Sequence, residues 1–174
     1  MNGIIASIRS TQPQKVTCWT LLMILLALGS CRPDRCKNVP CEFGTCVEGN
    51  CICQSGYEGE DCSERQISKF EGYFQVSETC TAGSDSYTIW VGISDSSLYD
   101  ARLSGIWGQP DTLVGLLSAD GNALEFDRQP IVGKEISARL FFRPSESDFS
   151  LSYEVYDVGA MQPFDVCTAN LTRP

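Results

Sequence analysis

Six cysteines stand within the 27 residues from Cys36 to Cys62, spaced C-x4-C-x4-C-x4-C-x-C-x8-C. A segment this short cannot bury enough apolar surface to offset the entropy of ordering its chain. Its fold must therefore be held by cross-links, each typically contributing about 2–4 kcal/mol. Cys18 lies in a hydrophobic leader that should be removed, Cys31 ends that leader, and Cys80 and Cys167 bracket the rest of the chain. The set divides without remainder, leaving eight cysteines to form four disulfides, as expected of an oxidising compartment.

The leader has Arg9 and Lys15 as a positive n-region, then the apolar run Leu21 to Leu28 and the small residues Gly29 and Ser30. The run falls well short of the ~20 apolar residues that a membrane span requires, so residues 1–30 are expected to be a cleaved signal. Two cleavage readings compete. Cleavage before Ser30 would leave Cys31 as an unpaired thiol. Alternatively, Leu28-Gly29-Ser30-Cys31 resembles the lipobox of bacterial lipoproteins, which implies a diacylglycerol thioether on Cys31 and anchoring by two or three acyl chains. The parity of the other cysteines favours the second, and residues 31–35 would then form a lipid-anchored linker. With Arg32 following the cysteine, the resemblance implies sorting to the outer membrane of the cell envelope, with the leaflet left open.

Spacing alone allows fifteen pairings of the six clustered cysteines. Cys53-Gln54-Ser55-Gly56-Tyr57-Glu58-Gly59-Glu60-Asp61-Cys62, preceded by the C-x-C step Cys51-Ile52-Cys53, is similar to the ending of epidermal growth factor (EGF)-like modules. The resemblance covers residues 36–62 and implies the pairs Cys36–Cys46, Cys41–Cys51 and Cys53–Cys62 over a small two-stranded hairpin. Neither zinc nor calcium is expected there. The spacing lacks paired C-x2-C knuckles, and Arg32-Pro33-Asp34-Arg35 offers one carboxylate beside two arginines where calcium-binding relatives carry an acidic run.

After a short hinge at 63–69, the domain spanning 70–174 shows a period of two almost throughout. Phe70, Gly72, Phe74 and Val76 alternate with Glu71, Tyr73, Gln75 and Ser77, and Tyr87, Ile89, Val91 and Ile93 alternate with Thr88, Trp90 and Gly92. Ile136, Ala138, Leu140 and Phe142, then Phe149, Leu151, Tyr153 and Val155, repeat the pattern. Shorter strands are expected at 101–107, 112–117 and 123–127, separated at Gly108-Gln109-Pro110, Asp120-Gly121 and Arg128-Gln129-Pro130, with a last strand at 164–172. This makes an all-β domain of about eight antiparallel strands. A Cys80–Cys167 bond needs the first and last strands to be close, which an up-and-down barrel supplies automatically and a β-sandwich, the alternative, does not. The stretch from Phe70 to Cys80 and the closing Val166-Cys167-Thr168-Ala169-Asn170-Leu171-Thr172 resemble Bacteroidota lipoproteins that place an EGF-like module before an uncharacterised or lipocalin-like β domain.

Function is constrained mainly by exclusion. The formal net charge is −9, which disfavours binding to nucleic acid. There is no histidine, so histidine-based triads and the common zinc hydrolase sites are unavailable. No catalytic residue, cofactor or metal is expected. Asp95, Asp100, Asp111, Asp120, Glu125 and Asp127 could serve a carboxylate glycosidase only if two of them converged in a cleft. The expectation is a non-enzymatic, membrane-anchored binding module with an unknown protein or glycan partner and the EGF-like module as spacer. The alternative is a carrier of one small apolar ligand. Trp90, Trp107 and Tyr73 are the candidate interaction aromatics: Trp90 and Trp107 lie in expected strands, Trp90 opposes the core face by alternation, and an exposed aromatic can stack on a sugar or anchor a partner.

Overall fold

The computed structural model describes residues 34–143 and 148–174. Cys31, with the leader and the lipid anchor expected on it, lies outside the described residues. Gly44–Val47 (β1) and Asn50–Cys53 (β2) form an antiparallel hairpin, and its two turn residues, Glu48 and Gly49, both have positive φ, matching the right-handed twist of the strands. Disulfides join Cys36 to Cys46, Cys41 to Cys51 and Cys53 to Cys62. Among the hydrophobic residues of this module only Cys62 is buried, so the sulfur bridges serve as its interior.

Tyr57–Glu58 (β3) pairs with Glu64–Arg65 (β4), and a 3₁₀ turn, Gln66–Phe70, follows directly. The segment 63–69, expected as a hinge, is thus ordered structure. In a 3₁₀ turn residues i and i+3 fall on the same side, so Ile67 and Phe70 point together into the barrel core, where both are fully buried. Phe70 reaches the core from this turn and not from the first strand.

Eight strands follow: Gly72–Cys80 (β5), Ser84–Ile93 (β6), Asp100–Ser104 (β7), Thr112–Leu117 (β8), Ala123–Ile131 (β9), Lys134–Arg143 (β10), Asp148–Asp157 (β11) and Asp165–Thr172 (β12). Each pairs antiparallel with the next, and β12 pairs back onto β5, closing a barrel without free edges. Cys167 lies directly opposite Cys80 across this closing seam, and the two are disulfide-bonded.

Two boundaries differ from the sequence reading. The strand expected through Trp107 stops at Ser104, because Gly105 turns to φ 88° and starts a 3₁₀ turn, Ile106–Gly108, that carries Trp107. Arg128-Gln129-Pro130, expected as a separator, lies inside β9. Pro130 pairs with Glu135, and a register shift against β10 follows between Ile136 and Ala138. The neighbouring seam between β8 and β9 has only the pairs Leu116/Glu125 and Leu117/Leu124. There the Gln129 carboxamide takes the place of a strand, accepting from the Val114 amide at 2.9 Å and donating to the Val114 carbonyl at 2.6 Å.

Strand direction sorts the loops between two ends. The stapled module, loops 94–99 and 118–122 and the carboxyl terminus share one end, and loops 81–83, 105–111, 132–133 and 158–164 share the other. Near the module, the Phe149 ring meets Phe70, Phe74 and Phe142 at centroid distances of 5.9, 4.9 and 5.0 Å. The inward aromatics therefore pack ring against ring.

Candidate functional site

The far end of the barrel interior holds a polar knot. Alternation that buries Phe74 and Val76 also turns Glu78 and Cys80 inward, and Glu78 is only 5% exposed. Its Oε2 accepts hydrogen bonds from the Tyr87 and Tyr153 hydroxyls, both at 2.6 Å, and the phenol oxygens lie 3.4 Å apart. The Tyr153 hydroxyl is 3.8 Å from Cys80 Sγ. Burial, and then the hydrogen bonds to Glu78, push both phenols well above the ordinary tyrosine value. Asp165, also buried, accepts from the Ala82 amide at 3.0 Å and ties down the loop after β5. The two phenols tie Glu78 of β5 to β6 and β11, so the knot braces the barrel interior beside the closing seam.

The surface carboxylates weighed for hydrolysis are spread over separate features. Asp111 accepts from the Val132 amide at the far end, Asp120 caps its own turn through Ser118 and Asn122, and Glu125 pairs with Arg139 at 3.0 Å. The Ser118 and Asn122 hydrogen bonds hold the Asp120 carboxyl below its usual value.

The outward face of β5–β8 is different. Tyr73 and Trp90 are direct cross-strand partners, 61% and 38% exposed. The same row continues through Ser104 and Thr112, whose hydroxyl oxygens lie 2.6 Å apart. The next row is Gly92, Arg102 and Val114, and beyond it stand Asp100 and Leu116. A Cβ at position 92 would lie 2.1 Å from Cη2 of Trp90, so the indole occupies the space that a side chain there would need. Laid along its own strand in this way, Trp90 borders a groove of about 230 Å³ lined also by Ser94, Asp100, Arg102 and Val114. Neither the Asp100 carboxylate nor the Arg102 guanidinium has a hydrogen-bond or ion-pair partner among the described residues. The groove joins an apolar ring face and wall to one strong acceptor and one strong donor.

The structure therefore brings together two of the three candidate aromatics. Trp107 is at the far end, half-buried against the core and 6.4 Å from the Phe164 ring. Comparison with protein-family models, curated proteins and solved structures finds no match to this chain. Alternation places Trp90 outward, but nothing in the sequence separates Asp100 from the other acidic candidates or draws Arg102 to it. Their meeting depends on the β6–β7 register, which the chain alone does not print.

Proposed function

We propose that this chain is a non-enzymatic binding module held at the cell envelope by a lipid on Cys31, with the EGF-like segment 36–62 as its spacer. The outward face of β5–β8 is its contact surface. The observation that carries this reading is the half-exposed Trp90 indole, seated over Gly92 beside Tyr73 and next to Asp100 and Arg102, whose side chains have no partner among the described residues. Large aromatics at the centre of a patch, with polar groups around them, are the composition of energetic hot spots in interfaces. Four of the inward rings, Phe70, Phe74, Phe142 and Phe149, pack against one another, which favours this reading over a carrier.

The contact surface is tested by installing a photo-crosslinking phenylalanine analogue at position 90 in cells, with position 168 on the outward face of β12 as control. Adducts specific to position 90 are expected, and identical patterns from the two positions would remove the surface from consideration. Intact mass of the protein isolated from its native membrane tests the anchor. A diacylated Cys31 terminus is expected, and an unmodified terminus at Ser30 would overturn that part.

A further inference from the structure

We propose that the groove beside Trp90 takes a neutral saccharide. This rests on the contact-surface reading above and names the chemistry of its ligand. The groove is mixed in character. Trp90 and Val114 offer apolar surface, and Asp100 and Arg102 stand two residues apart on the same face of β7. A pyranose has the complementary make-up, with C–H faces that stack on an indole and a rim of hydroxyls that donate to a carboxylate and accept from a guanidinium.

Asp100 and Arg102, without side-chain partners among the described residues, discriminate between occupants. An apolar peptide segment laid in the groove would strip water from Asp100 and Arg102 and return no hydrogen bonds, a costly exchange for charged groups. A saccharide replaces that water with its own hydroxyls. Polyanionic ligands are opposed by the net charge of −9 and by Asp100 within the groove itself. The hydroxyls of Ser104 and Thr112 continue the row of Trp90 onto β7 and β8, on the side away from Tyr73, and extend the polar edge along which a second ring would lie.

The test uses the full chain carrying Trp19→Phe and Trp107→Phe, which leaves Trp90 as its one tryptophan. It is titrated with neutral oligosaccharides of glucose, galactose, mannose and N-acetylglucosamine while tryptophan emission is followed. At least one series is expected to shift Trp90 emission saturably. Followed by calorimetry, Trp90→Ala should lose measurable binding and Trp90→Phe should keep part of it. Asp100→Asn and Arg102→Gln should each weaken binding by about tenfold, and Asp100→Asn should reorder sugars that differ in one hydroxyl. Binding that survives Trp90→Ala would overturn the site. Absence of any emission change at millimolar sugar, with protein adducts still forming at position 90, would overturn the saccharide and leave the contact surface standing. Absence of both would overturn the two readings together.

Discussion

The stapled module and the barrel solve the same problem by opposite means. In the module the disulfides close loops with sequence separations of 9 or 10 and Cys62 is the one buried hydrophobic residue, whereas Cys80–Cys167 spans 87 residues around a continuous apolar core. Chain entropy assigns roughly 2.7 kcal/mol to each short loop and roughly 4.6 kcal/mol to the long one. Dependence runs the other way. The module has a single buried hydrophobic residue and a four-pair hairpin to offset its ordering cost, while the barrel seam that the long bridge crosses has six paired positions and a core behind it. The strongest cross-link thus sits where it is least needed.

The largest effect should come from the module. Replacing Cys36, Cys41, Cys46, Cys51, Cys53 and Cys62 with serine is expected to abolish the order of residues 36–56. Protease cleavage there should become immediate, while the barrel keeps a cooperative thermal transition. Loss of the barrel transition as well would show that the module is part of the barrel's folding unit.

Next comes the plug. Phe70→Ala removes a fully buried ring in contact with Phe149 and should cost about 4 kcal/mol in denaturant unfolding. A much smaller loss would mean that Ile67 and Phe149 close over the gap. Cys80→Ala with Cys167→Ala should cost less, about 3 kcal/mol, below the chain-entropy value because an unfolded chain that keeps residual structure has less freedom to regain, and should leave the barrel folded, because closure is carried by the ladder. Unfolding of that double variant at room temperature would break the comparison.

The polar knot gives a pH signature that the module lacks. Tyr87 and Tyr153 keep their protons in the folded state above the ordinary tyrosine value of about 10, because burial and Glu78 oppose ionisation. Their stabilising contribution is complete below that value. It is lost as pH rises above it, since the unfolded chain then releases protons that the folded chain retains. Stability should therefore fall on the alkaline side, with two tyrosines appearing in the tyrosinate absorbance only as the barrel unfolds. Tyr87→Phe with Tyr153→Phe should flatten that fall, and an unchanged slope would place its source elsewhere.

Much of the barrel was legible because burial on one face of a strand enforces a period of two. The inward sets around Ile89, Leu140 and Leu151 follow from alternation, and β8 occupies the expected 112–117. The departures have local causes. Ile67 stands among the polar residues Gln66, Ser68 and Lys69 and produces no periodic signal, so it reads as hinge, while Phe70 shares the phase of Phe74 and reads as the start of the first strand. Trp107 continues the alternation on paper, but Gly105 takes the chain out of the strand before it. Glu78 shares the inward phase of Phe74 and Val76, and with Tyr87 and Tyr153 on facing strands the carboxylate has its partners. Seeing this requires the register and not only the phase. The groove is hidden for the same reason, since Gly92 shows only that a side chain is missing and not that an indole fills its place.

The smallest expected effect lies where the two regions meet. Arg65 of β4 donates through Nη2 to the carbonyl oxygens of Ser94, at 2.6 Å, and Ser97, while the Tyr99 hydroxyl donates to the Ser55 carbonyl at 3.3 Å. The loop held in this way leaves β6 at Ser94 and enters β7 at Asp100, and both of these residues line the groove beside Trp90. One guanidinium spanning two carbonyls fixes the span of the loop, which a lysine's single ammonium on a flexible stem would hold less firmly. Arg65→Ala should change global stability by about 1 kcal/mol, because its bonds are half-solvated and the core is untouched. Locally the change should be larger. The Ser94 amide bonded to Asp100, and the Leu117 amide bonded to the Tyr99 carbonyl, should exchange about tenfold faster with solvent deuterium, with Arg65→Lys intermediate. Unchanged exchange at these amides would make the module a spacer alone. The expected change would make it the support that sets one end of the barrel's outward groove.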